Sequence, residues 1–208
     1  MSVQLFFKDV LINPLQMGAV APSGRELARA MVDTARIEDD HTVVELGAGS
    51  GSFTREIVQR HPNCPLFVFE ISPRLGQELT NRYPSAKVVV APVEDLPQLA
   101  PEIGLQSIDR IVSGLPWALW SEDRQAVIMD ALVPFLAPNA RFVTFHYVHS
   151  RALGRVRTTR RLLRERFAEV SNSQPVWANL PPAYVHIAQG PRTQSEPTAP
   201  SVAVKALG

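Results

Sequence analysis

The sequence predicts an α/β protein whose sheet is doubly wound and largely parallel. Short β-branched or aromatic runs alternate with helical patterns along most of the 208 residues, which is the order of βαβ units. A glycine-rich turn follows the first of these runs and a helical pattern follows the turn, as in nucleotide-binding units of this class. Because ligands of such proteins bind beyond the carboxyl ends of the strands, where strand order reverses, we expect the site there.

Each element follows from a local pattern. The predicted strands cover residues 42–44, 66–71, 87–91, 108–113 and 141–148, and an antiparallel pair follows at 169–176 and 184–188. Helical patterns begin near Phe53 and at Pro73, and a third covers residues 121–136. Before the first strand, Ser23 and Glu26 have the spacing of a capping box, which predicts the start of another amphipathic helix.

Length and composition predict one compact domain over residues 17–189, between an N-terminal segment (1–16) and a disordered tail (190–208) rich in Pro, Ser, Thr and Gln. The net charge of +1 gives no overall attraction to nucleic acid or membrane, so either partner would need a local patch. The single Cys64 excludes an internal disulfide and fits a reducing compartment. Since we also expect neither a cleaved signal sequence nor a spanning helix of about 20 apolar residues, the expected location is cytoplasmic.

The turn after the first strand, Glu-Leu-Gly-Ala-Gly-Ser-Gly over 45–51, is the most informative string. Gly47, Gly49 and Gly51 allow a tight turn and a close approach of ligand. Their spacing differs from that of dinucleotide enzymes, because Ser52 stands where the third glycine would be. Glu45, two positions before the first glycine, suits the ammonium group of S-adenosylmethionine better than a pyrophosphate. The string resembles motif I of class I methyltransferases, which implies S-adenosyl-L-methionine as cofactor and a Rossmann-like, seven-stranded, doubly wound sheet.

Further acidic positions complete the expected cofactor site. Glu70 ends the second predicted strand, 19 residues after Gly51, and its carboxylate can accept both ribose hydroxyls. An ordinary surface glutamate at a strand end is the alternative interpretation. After the next strand, Val93 and either Glu94 or Asp95 are expected at the adenine edge, although Asp95 equally suits a helix cap.

The methyl acceptor is expected at the loop Ser-Gly-Leu-Pro-Trp over 113–117, directly after the fourth strand. Methyl transfer from a sulfonium is an in-line displacement, so the enzyme must hold a neutral amine close to the methyl group. The carbonyls of Gly114 and Leu115 would accept the amine N–H, and the Trp117 ring would favour developing positive charge. The loop resembles the N/D-P-P-Y or N-L-P-Y loop of amino-methylating enzymes, with Ser113 replacing Asn or Asp. A plain turn with its tryptophan packed on the core is the alternative.

Three more strings narrow the class of acceptor: Gly-Ala-Val-Ala-Pro-Ser at 18–23, Val-Ser-Gly-Leu-Pro at 112–116 and Asn-Leu-Pro-Pro-Ala at 179–183. With motif I, they resemble the bacterial phospholipid N-methyltransferases, a family similar to the rRNA adenine dimethyltransferases, over about residues 6–188. The resemblance implies methyl transfer to the amine of phosphatidylethanolamine and its methylated forms, towards phosphatidylcholine. It also implies cofactor contacts for Ser23 and Ile71 and an amine contact for Tyr147, while His146 or Tyr147 could remove a proton.

Two departures from the family pattern bear on the site. Pro92 replaces an acidic residue, so the identity of the residue that contacts the adenine stays open. The bulky string at 117–120 bears on the size of the methyl acceptor. The alternative functions are an rRNA adenine N6-methyltransferase and a small-molecule amine N-methyltransferase. The absent Asn in the 113–117 loop and the lack of a separate RNA-binding domain argue against nucleic acid. No metal is expected, because the five histidines are scattered and no Cys/His ligand spacing occurs.

Two segments would bring a monomeric enzyme to the inner face of the membrane. Residues 1–16 predict a short amphipathic helix with Phe6 and Phe7 in its apolar stripe, which would act as a membrane contact or as a lid. The helix over 151–166 carries seven arginines opposed only by Glu165, a face that suits anionic headgroups. RNA phosphates would be attracted equally, and a merely solvated helix is the third interpretation.

Overall fold

Seven strands form one mixed sheet in the order β3-β2-β1-β4-β5-β7-β6 within residues 24–192, which the computed structural model describes. The strands are β1 (Val43–Leu46), β2 (Leu66–Phe69), β3 (Lys87–Val89), β4 (Ile108–Ser113), β5 (Leu136–Tyr147), β6 (Phe167–Asn172) and β7 (Ala183–Pro191). The helices are α1 (Arg25–Ala35), α2 (Ser52–Arg60), α3 (Pro73–Arg82), α4 (Leu96–Ile103), α5 (Glu122–Leu132) and α6 (Gly154–Arg166). Short 3-10 turns lie at Val93–Asp95, Trp117–Leu119, Val133–Phe135 and Val148–Ala152. The predicted fold class, a seven-stranded Rossmann-like sheet, is confirmed.

Strand order reverses between β1 and β4. The chain passes outward from β1 through β2 to β3 and then crosses to the other side of β1, so β1 lies between β2 and β4. All pairs from β3 to β5 are parallel, whereas β7 runs antiparallel between β5 and β6. Leu46 pairs with Ser113 at the ends of their strands. The loops that follow β1 and β4 therefore leave the sheet side by side, at the reversal point where ligands bind in such sheets.

The two faces of the sheet carry separate apolar cores. Helices α1, α2 and α3 cover one face through side chains that include Leu27, Ile57 and Leu79. Helices α4, α5 and α6 cover the other through Leu96, Ile128 and Leu162. Every residue of β1 is buried, as expected for the central strand of a parallel sheet with helices on both faces. Glu45 lies in this strand and is buried with it.

Several predicted boundaries are wrong. The helix expected over 121–136 ends at Leu132, and a 3-10 turn that contains Pro134 leads into β5. Proline lacks the N–H that would continue the helical hydrogen bonds. Strand β6 begins and ends earlier than the predicted 169–176. Strand β7 continues to Pro191, which pairs with Phe167, so the first residues of the predicted tail belong to the sheet.

The N-cap of α1 is Gly24, one residue after the expected Ser23. The Gly24 N–H is bound to the side chain of Asn179, and Glu26 faces Arg29 at 3.3 Å. The capping box is therefore replaced by a tertiary contact. Ser23 itself, the predicted helix over 1–16 and residues 193–208 lie outside the described residues. None of the helices described is long and apolar enough to cross a bilayer.

Candidate active site

The glycine turn joins β1 to α2 with a backbone that needs glycine. Gly47, Gly49 and Gly51 have φ angles of 70°, 55° and 82°, in the left-handed region that L side chains rarely adopt. A β-carbon on Gly47 would lie 2.7 Å from a methyl carbon of Leu115. Gly51 serves as the N-cap of α2. The predicted strand, glycine turn and helix are thus confirmed, and the turn lies against the loop that follows β4.

Glu70 fixes the shape of this turn from the end of β2. One carboxylate oxygen accepts the N–H of Gly49 at 2.8 Å, and the other accepts the N–H of Ser72 at 2.9 Å. The side chain is buried, yet it lines a cleft at the carboxyl end of the sheet. Each carboxylate oxygen has a second lone pair, so Glu70 can hold the turn and still accept hydroxyl groups of a ribose.

Glu45 is an acid with no described hydrogen bond. It is fully buried, and neither carboxyl oxygen has a partner in hydrogen-bonding geometry. Burial raises the pKa of Glu45 to about 8; the neighbouring Thr54 hydroxyl and N–H lower it, although neither is placed to donate a proper hydrogen bond, and Glu70 raises it further. Because buried polar groups are nearly always paired, an orphaned carboxyl beside the glycine turn fits the ammonium group of S-adenosylmethionine.

The cleft next to Glu70 encloses about 380 Å³ of empty space, part of it open to solvent. Besides Gly47 and Glu70, its wall contains three more of the predicted cofactor residues, Ile71, Val93 and Glu94, with Pro92 beside them. Asp95 is not part of this wall and is instead the N-cap of α4, where its side chain makes no capping hydrogen bond. Of the two acids left open by the sequence, the structure therefore brings Glu94 to the cleft.

Two residues of the cleft were missed in the sequence. Arg124 of α5 pairs with Glu94 at 3.1 Å, and its guanidinium carbon lies 4.8 Å from the centre of the Trp120 ring. Trp120 and Arg124 both line the cleft. The sequence contains both residues, Trp120 at the end of the bulky string at 117–120 and Arg124 four residues later. Whether their side chains face the cleft depends on how α5 packs, which a local pattern does not show.

Gly114 is held against the glycine turn. Its N–H donates to the Leu46 carbonyl at 2.8 Å, and a β-carbon on Gly114 would lie 2.7 Å from the Gly47 carbonyl oxygen. Within the described chain the Gly114 carbonyl accepts no hydrogen bond. Counting back from the Leu-Pro pair, Gly114 occupies the Asn position of an N-L-P-Y loop, which corrects the assignment of that position to Ser113. The close approach of two backbones explains why no side chain is present there.

Ser113 and Trp117 shape the loop from beneath it. Ser113 is buried, and its hydroxyl oxygen accepts the indole N–H of Trp117 at 3.0 Å. Trp117 is 1% exposed and packs edge-on against Trp120 and Phe142. The expected placement of the Trp117 ring beside the amine is thus not what the structure shows, because the indole belongs to the core. The Leu115 side chain lines the cofactor cleft, and its carbonyl accepts the Trp117 N–H at 2.9 Å.

A different set of rings lies next to Gly114. We call it the aromatic row; its members are Phe53, Phe145, Tyr147 and His149. Neighbouring ring centres are 6.1 Å, 5.6 Å and 5.6 Å apart along the row, and the Tyr147 and His149 rings are stacked. The row begins at Gly114, where a β-carbon would lie 3.2 Å from the Phe53 ring, and continues to the end of β5. Burial raises the pKa of Tyr147. Tyr147 is the last residue of β5, and its contact with the amine stays a prediction.

His146 points away from this row. Successive side chains of a strand lie on opposite faces, so His146 is on the other face from Phe145 and Tyr147. It is buried, neither ring nitrogen has a described hydrogen-bond partner, and its ring meets that of His186 at 4.7 Å. Burial lowers the pKa of His146 to about 4. The suggestion that His146 removes a proton from the amine is therefore not supported by its position.

The arginine-rich face of α6 is less basic than its sequence predicts. Arg161 pairs with Glu122 of α5 at 2.7 Å and also with Glu165. Arg166 pairs with Asp130 of α5 at 2.7 Å. The expectation that only Glu165 opposes these arginines is wrong, because α5 packs beside α6 and supplies two more carboxylates.

Comparison with known proteins identifies relatives of the chain. No family model matches the chain. An ornithine lipid N-methyltransferase from Singulisphaera acidiphila is 32% identical over 142 residues, which are 66% of this chain and 74% of that protein. A ribosomal RNA small subunit methyltransferase A from Chlorobium phaeobacteroides is 31% identical over 99 residues, 47% of this chain and 35% of that protein.

Solved structures share the fold. An S-adenosylmethionine-dependent O-methyltransferase from Thermotoga maritima superposes with a TM-score of 0.62 at 14% identity, covering 90% of this chain and 73% of the other. A 1,6-didemethyltoxoflavin-N1-methyltransferase from Burkholderia thailandensis, solved with S-adenosylhomocysteine, gives 0.62 at 16% identity, covering 90% and 86%. The cofactor is S-adenosylmethionine, and the chain belongs to the class I methyltransferases that use it, in the family of the ornithine lipid N-methyltransferase.

Proposed function

We propose that this methyltransferase acts on the amine of a lipid headgroup, with phosphatidylethanolamine and its methylated forms as acceptors. The observation that carries the proposal is the position of Gly114: its backbone lies against the cofactor turn and beside the Phe53 ring of the aromatic row, and its carbonyl accepts no hydrogen bond within the described chain. A carbonyl acceptor next to aromatic faces suits an amine that becomes a cation as it reacts. The relative that methylates a lipid amine supports the same class of acceptor.

Three carboxylates divide the contacts with the cofactor. Glu45 would pair with the ammonium group of the methionine portion, because its buried carboxyl has no other described partner. Glu70 would accept the ribose hydroxyls with the lone pairs that Gly49 and Ser72 leave unused. Glu94 would meet the adenine edge from the wall of the cleft. When bound, the cofactor supplies a methyl group that its sulfonium has already activated.

The chain's own part in the reaction is positioning. The Gly114 carbonyl would accept an N–H of the amine and so direct the nitrogen lone pair at the methyl carbon, in line with the breaking bond to sulfur. The electrons of that bond leave with sulfur, and the new ammonium loses a proton to water before another methyl group is added. Phe53 and Phe145 would face the developing positive charge. Tyr147, which is half-buried, is the first titratable ring along the row from Phe53.

Ornithine lipid is the second candidate acceptor, because a relative that is named as an ornithine lipid N-methyltransferase is matched over 74% of its own length. RNA has weaker support, since the ribosomal RNA methyltransferase is matched over only 35% of its length. A small amine would use the same carbonyl and the same rings.

The test is to incubate the purified protein with radiolabelled S-adenosylmethionine and, separately, with vesicles of phosphatidylethanolamine, vesicles of ornithine lipid, ribosomal RNA and small primary amines. Label in phosphatidylethanolamine and its methylated products supports the proposal. Label confined to ornithine lipid, to RNA or to small amines would replace it with the corresponding alternative. The Val127→Ser variant, altered at an exposed position of α5, serves as a matched control and should behave as the unmodified enzyme.

A further inference from the structure

The loop between β6 and β7, residues 173–182, exposes two large apolar side chains. Trp177 is 68% exposed and Leu180 is 82% exposed, the two highest values among large apolar residues of the described chain. The loop contains no charged residue. A tryptophan and a leucine held in water at the tip of an uncharged loop are unfavourable unless something covers them.

Hydrogen bonds hold the loop against α1 and β7. Asn179 lies between Trp177 and Leu180 in the sequence, and its side chain is buried. This side chain accepts the N–H of Gly24 at 3.0 Å and donates to the Pro181 carbonyl at 2.6 Å. The hydroxyl of Ser173 accepts the N–H of Val185 at 2.9 Å. Val176 forms a bridge to Ala183 across the base of the loop.

The loop lies at the same edge of the sheet as the acceptor site. Ala183, at the start of β7, pairs with Tyr147, at the end of β5. The N–H of Val148 donates to the Pro182 carbonyl at 2.8 Å. The C-terminal end of the loop therefore lies beside Tyr147 of the aromatic row, where the proposed lipid headgroup would arrive from a bilayer.

The surroundings of the loop favour a lipid surface over a second protein. Helix α6 begins directly after the turn that starts at Val148, and its first turns expose Arg155 and Arg157, which complement anionic headgroups. Two side chains can bury at most about 250 Å² each, which is well below the roughly 1,200 Å² that a stable protein interface buries. Tryptophan is also the side chain most enriched at the boundary between lipid and water.

We propose that the 173–182 loop docks the enzyme on the surface of an anionic bilayer by inserting Trp177 and Leu180 at the level of the headgroups. The inference rests on the proposed lipid acceptor and adds to it the surface that meets the membrane. The inference assigns the apolar contact with the membrane to this loop. Arg161 and Arg166, in the C-terminal half of α6, are already paired with carboxylates of α5.

Tryptophan fluorescence tests the contact directly. The chain has three tryptophans, of which Trp117 and Trp120 are buried and Trp177 is exposed. Vesicles of phosphatidylglycerol and phosphatidylcholine with brominated acyl chains should quench the emission of the full chain, and W177F should lose this quenching while still co-sedimenting. Equal quenching in W177F, or sedimentation without any quenching in the unmodified protein, would overturn the proposal, and so would a failure to bind these vesicles.

A second comparison measures the contribution to binding. The double variant Trp177→Ser/Leu180→Ser should lower the vesicle partition coefficient roughly tenfold or more, and 0.5 M salt should not abolish the difference, because apolar insertion is not screened. The matched control Val90→Ser/Val127→Ser removes two exposed apolar side chains elsewhere and should bind as the unmodified protein does. Equal loss in both double variants would contradict a specific docking loop. Loss of a concentration-dependent dimer in the first variant alone would assign the loop to self-association instead.

Activity separates this inference from the proposed function. The Trp177→Ser/Leu180→Ser variant should lose turnover on vesicles and retain it on short-chain, monomeric lipid, with unchanged affinity for S-adenosylmethionine. Methylation of lipid on vesicles by this variant at the unmodified rate would reject the docking loop and leave the acceptor standing. Vesicle docking through Trp177 without methylation of any lipid amine would reject the acceptor and leave the loop.

Discussion

The carboxylate of Glu70 accepts the N–H of Gly49 at 2.8 Å, so the acid expected to bind the cofactor also holds the glycine turn in place. Its second oxygen accepts the N–H of Ser72 at the N-cap of α3. One side chain thereby connects β1, β2 and α3 at the reversal point of the sheet. Preorganisation of the turn and recognition of the ribose would then depend on the same group.

Replacing Glu70 with Ala should therefore weaken S-adenosylmethionine binding and loosen the turn. Loss of hydrogen bonds to a charged acceptor corresponds to about 1.5–3 kcal/mol in affinity, and two backbone N–H groups lose their partner at the same time. Isothermal titration calorimetry would measure the affinity and thermal unfolding the stability. Glu78→Ala, which removes an exposed carboxylate of α3, is the matched control and should change neither. Unchanged affinity in a folded Glu70→Ala protein would place the ribose elsewhere.

Glu45 should make both stability and binding depend on pH. Its pKa is raised to about 8 by burial, above its usual value of 4.5, so the folded protein binds a proton that the unfolded chain releases between these values. Stability is therefore expected to fall as pH rises from about 5 to 8, by up to about 1.4 kcal/mol per pH unit. Glu45→Gln, which cannot ionise, should flatten this dependence, and denaturant unfolding at several pH values would show it.

The same carboxyl must ionise to pair with the ammonium group of the cofactor. Binding near neutral pH should then release a proton, which calorimetry in buffers of different ionisation enthalpy detects as a buffer-dependent heat. Glu45→Gln should abolish that release and weaken binding. A buffer-independent heat in the unmodified enzyme would mean that Glu45 stays protonated and does not hold the ammonium group.

Gly114 should tolerate no side chain. In Gly114→Ala the new β-carbon would meet the Gly47 carbonyl oxygen at 2.7 Å, and backbone on both sides leaves little room to relax. We expect turnover to fall by orders of magnitude and cofactor affinity to fall with it, since the glycine turn must shift. Phe145→Leu is the contrasting variant, because it removes a ring of the aromatic row and leaves the glycine turn untouched; it should raise the KM for the lipid without changing cofactor affinity. Steady-state kinetics with calorimetry would separate the two effects.

The sequence predicted what depends on local pattern and spacing. The alternation of strands and helices predicted the fold class, which is confirmed, and the spacing of Glu45, Gly47 and Glu70 predicted a cofactor site at the carboxyl ends of β1 and β2. The features of the site that the sequence could not predict depend on packing between distant segments. Nothing local distinguishes Trp117, which turns into the core, from Trp120, which lines the cleft. The carboxylate of Glu122 that neutralises Arg161 likewise lies 39 residues away in the chain.

The contact between Asn179 and Gly24 joins the string at 179–183 to the residue that directly follows the string at 18–23. Asn179 Oδ1 accepts the Gly24 N–H where α1 begins, 155 residues away in sequence, and would lie 2.6 Å from a β-carbon at that position. The same side chain donates to the Pro181 carbonyl. Because the amide is buried, Asn179→Ala leaves the Gly24 N–H and the Pro181 carbonyl without their partner.

We expect Asn179→Ala to lower the free energy of unfolding by about 1–3 kcal/mol, the cost of buried groups left unpaired. It should also speed amide hydrogen exchange at the start of α1 and in the 173–182 loop together, since one side chain holds both. Asn63→Ala removes an exposed amide that bonds to Asp39 at 3.2 Å, and this control should stay within about 0.5 kcal/mol. Denaturant unfolding gives the energies and exchange measured by mass spectrometry gives the locations. Faster exchange in the loop alone, with α1 unaffected, would show that the loop and α1 are not coupled through Asn179.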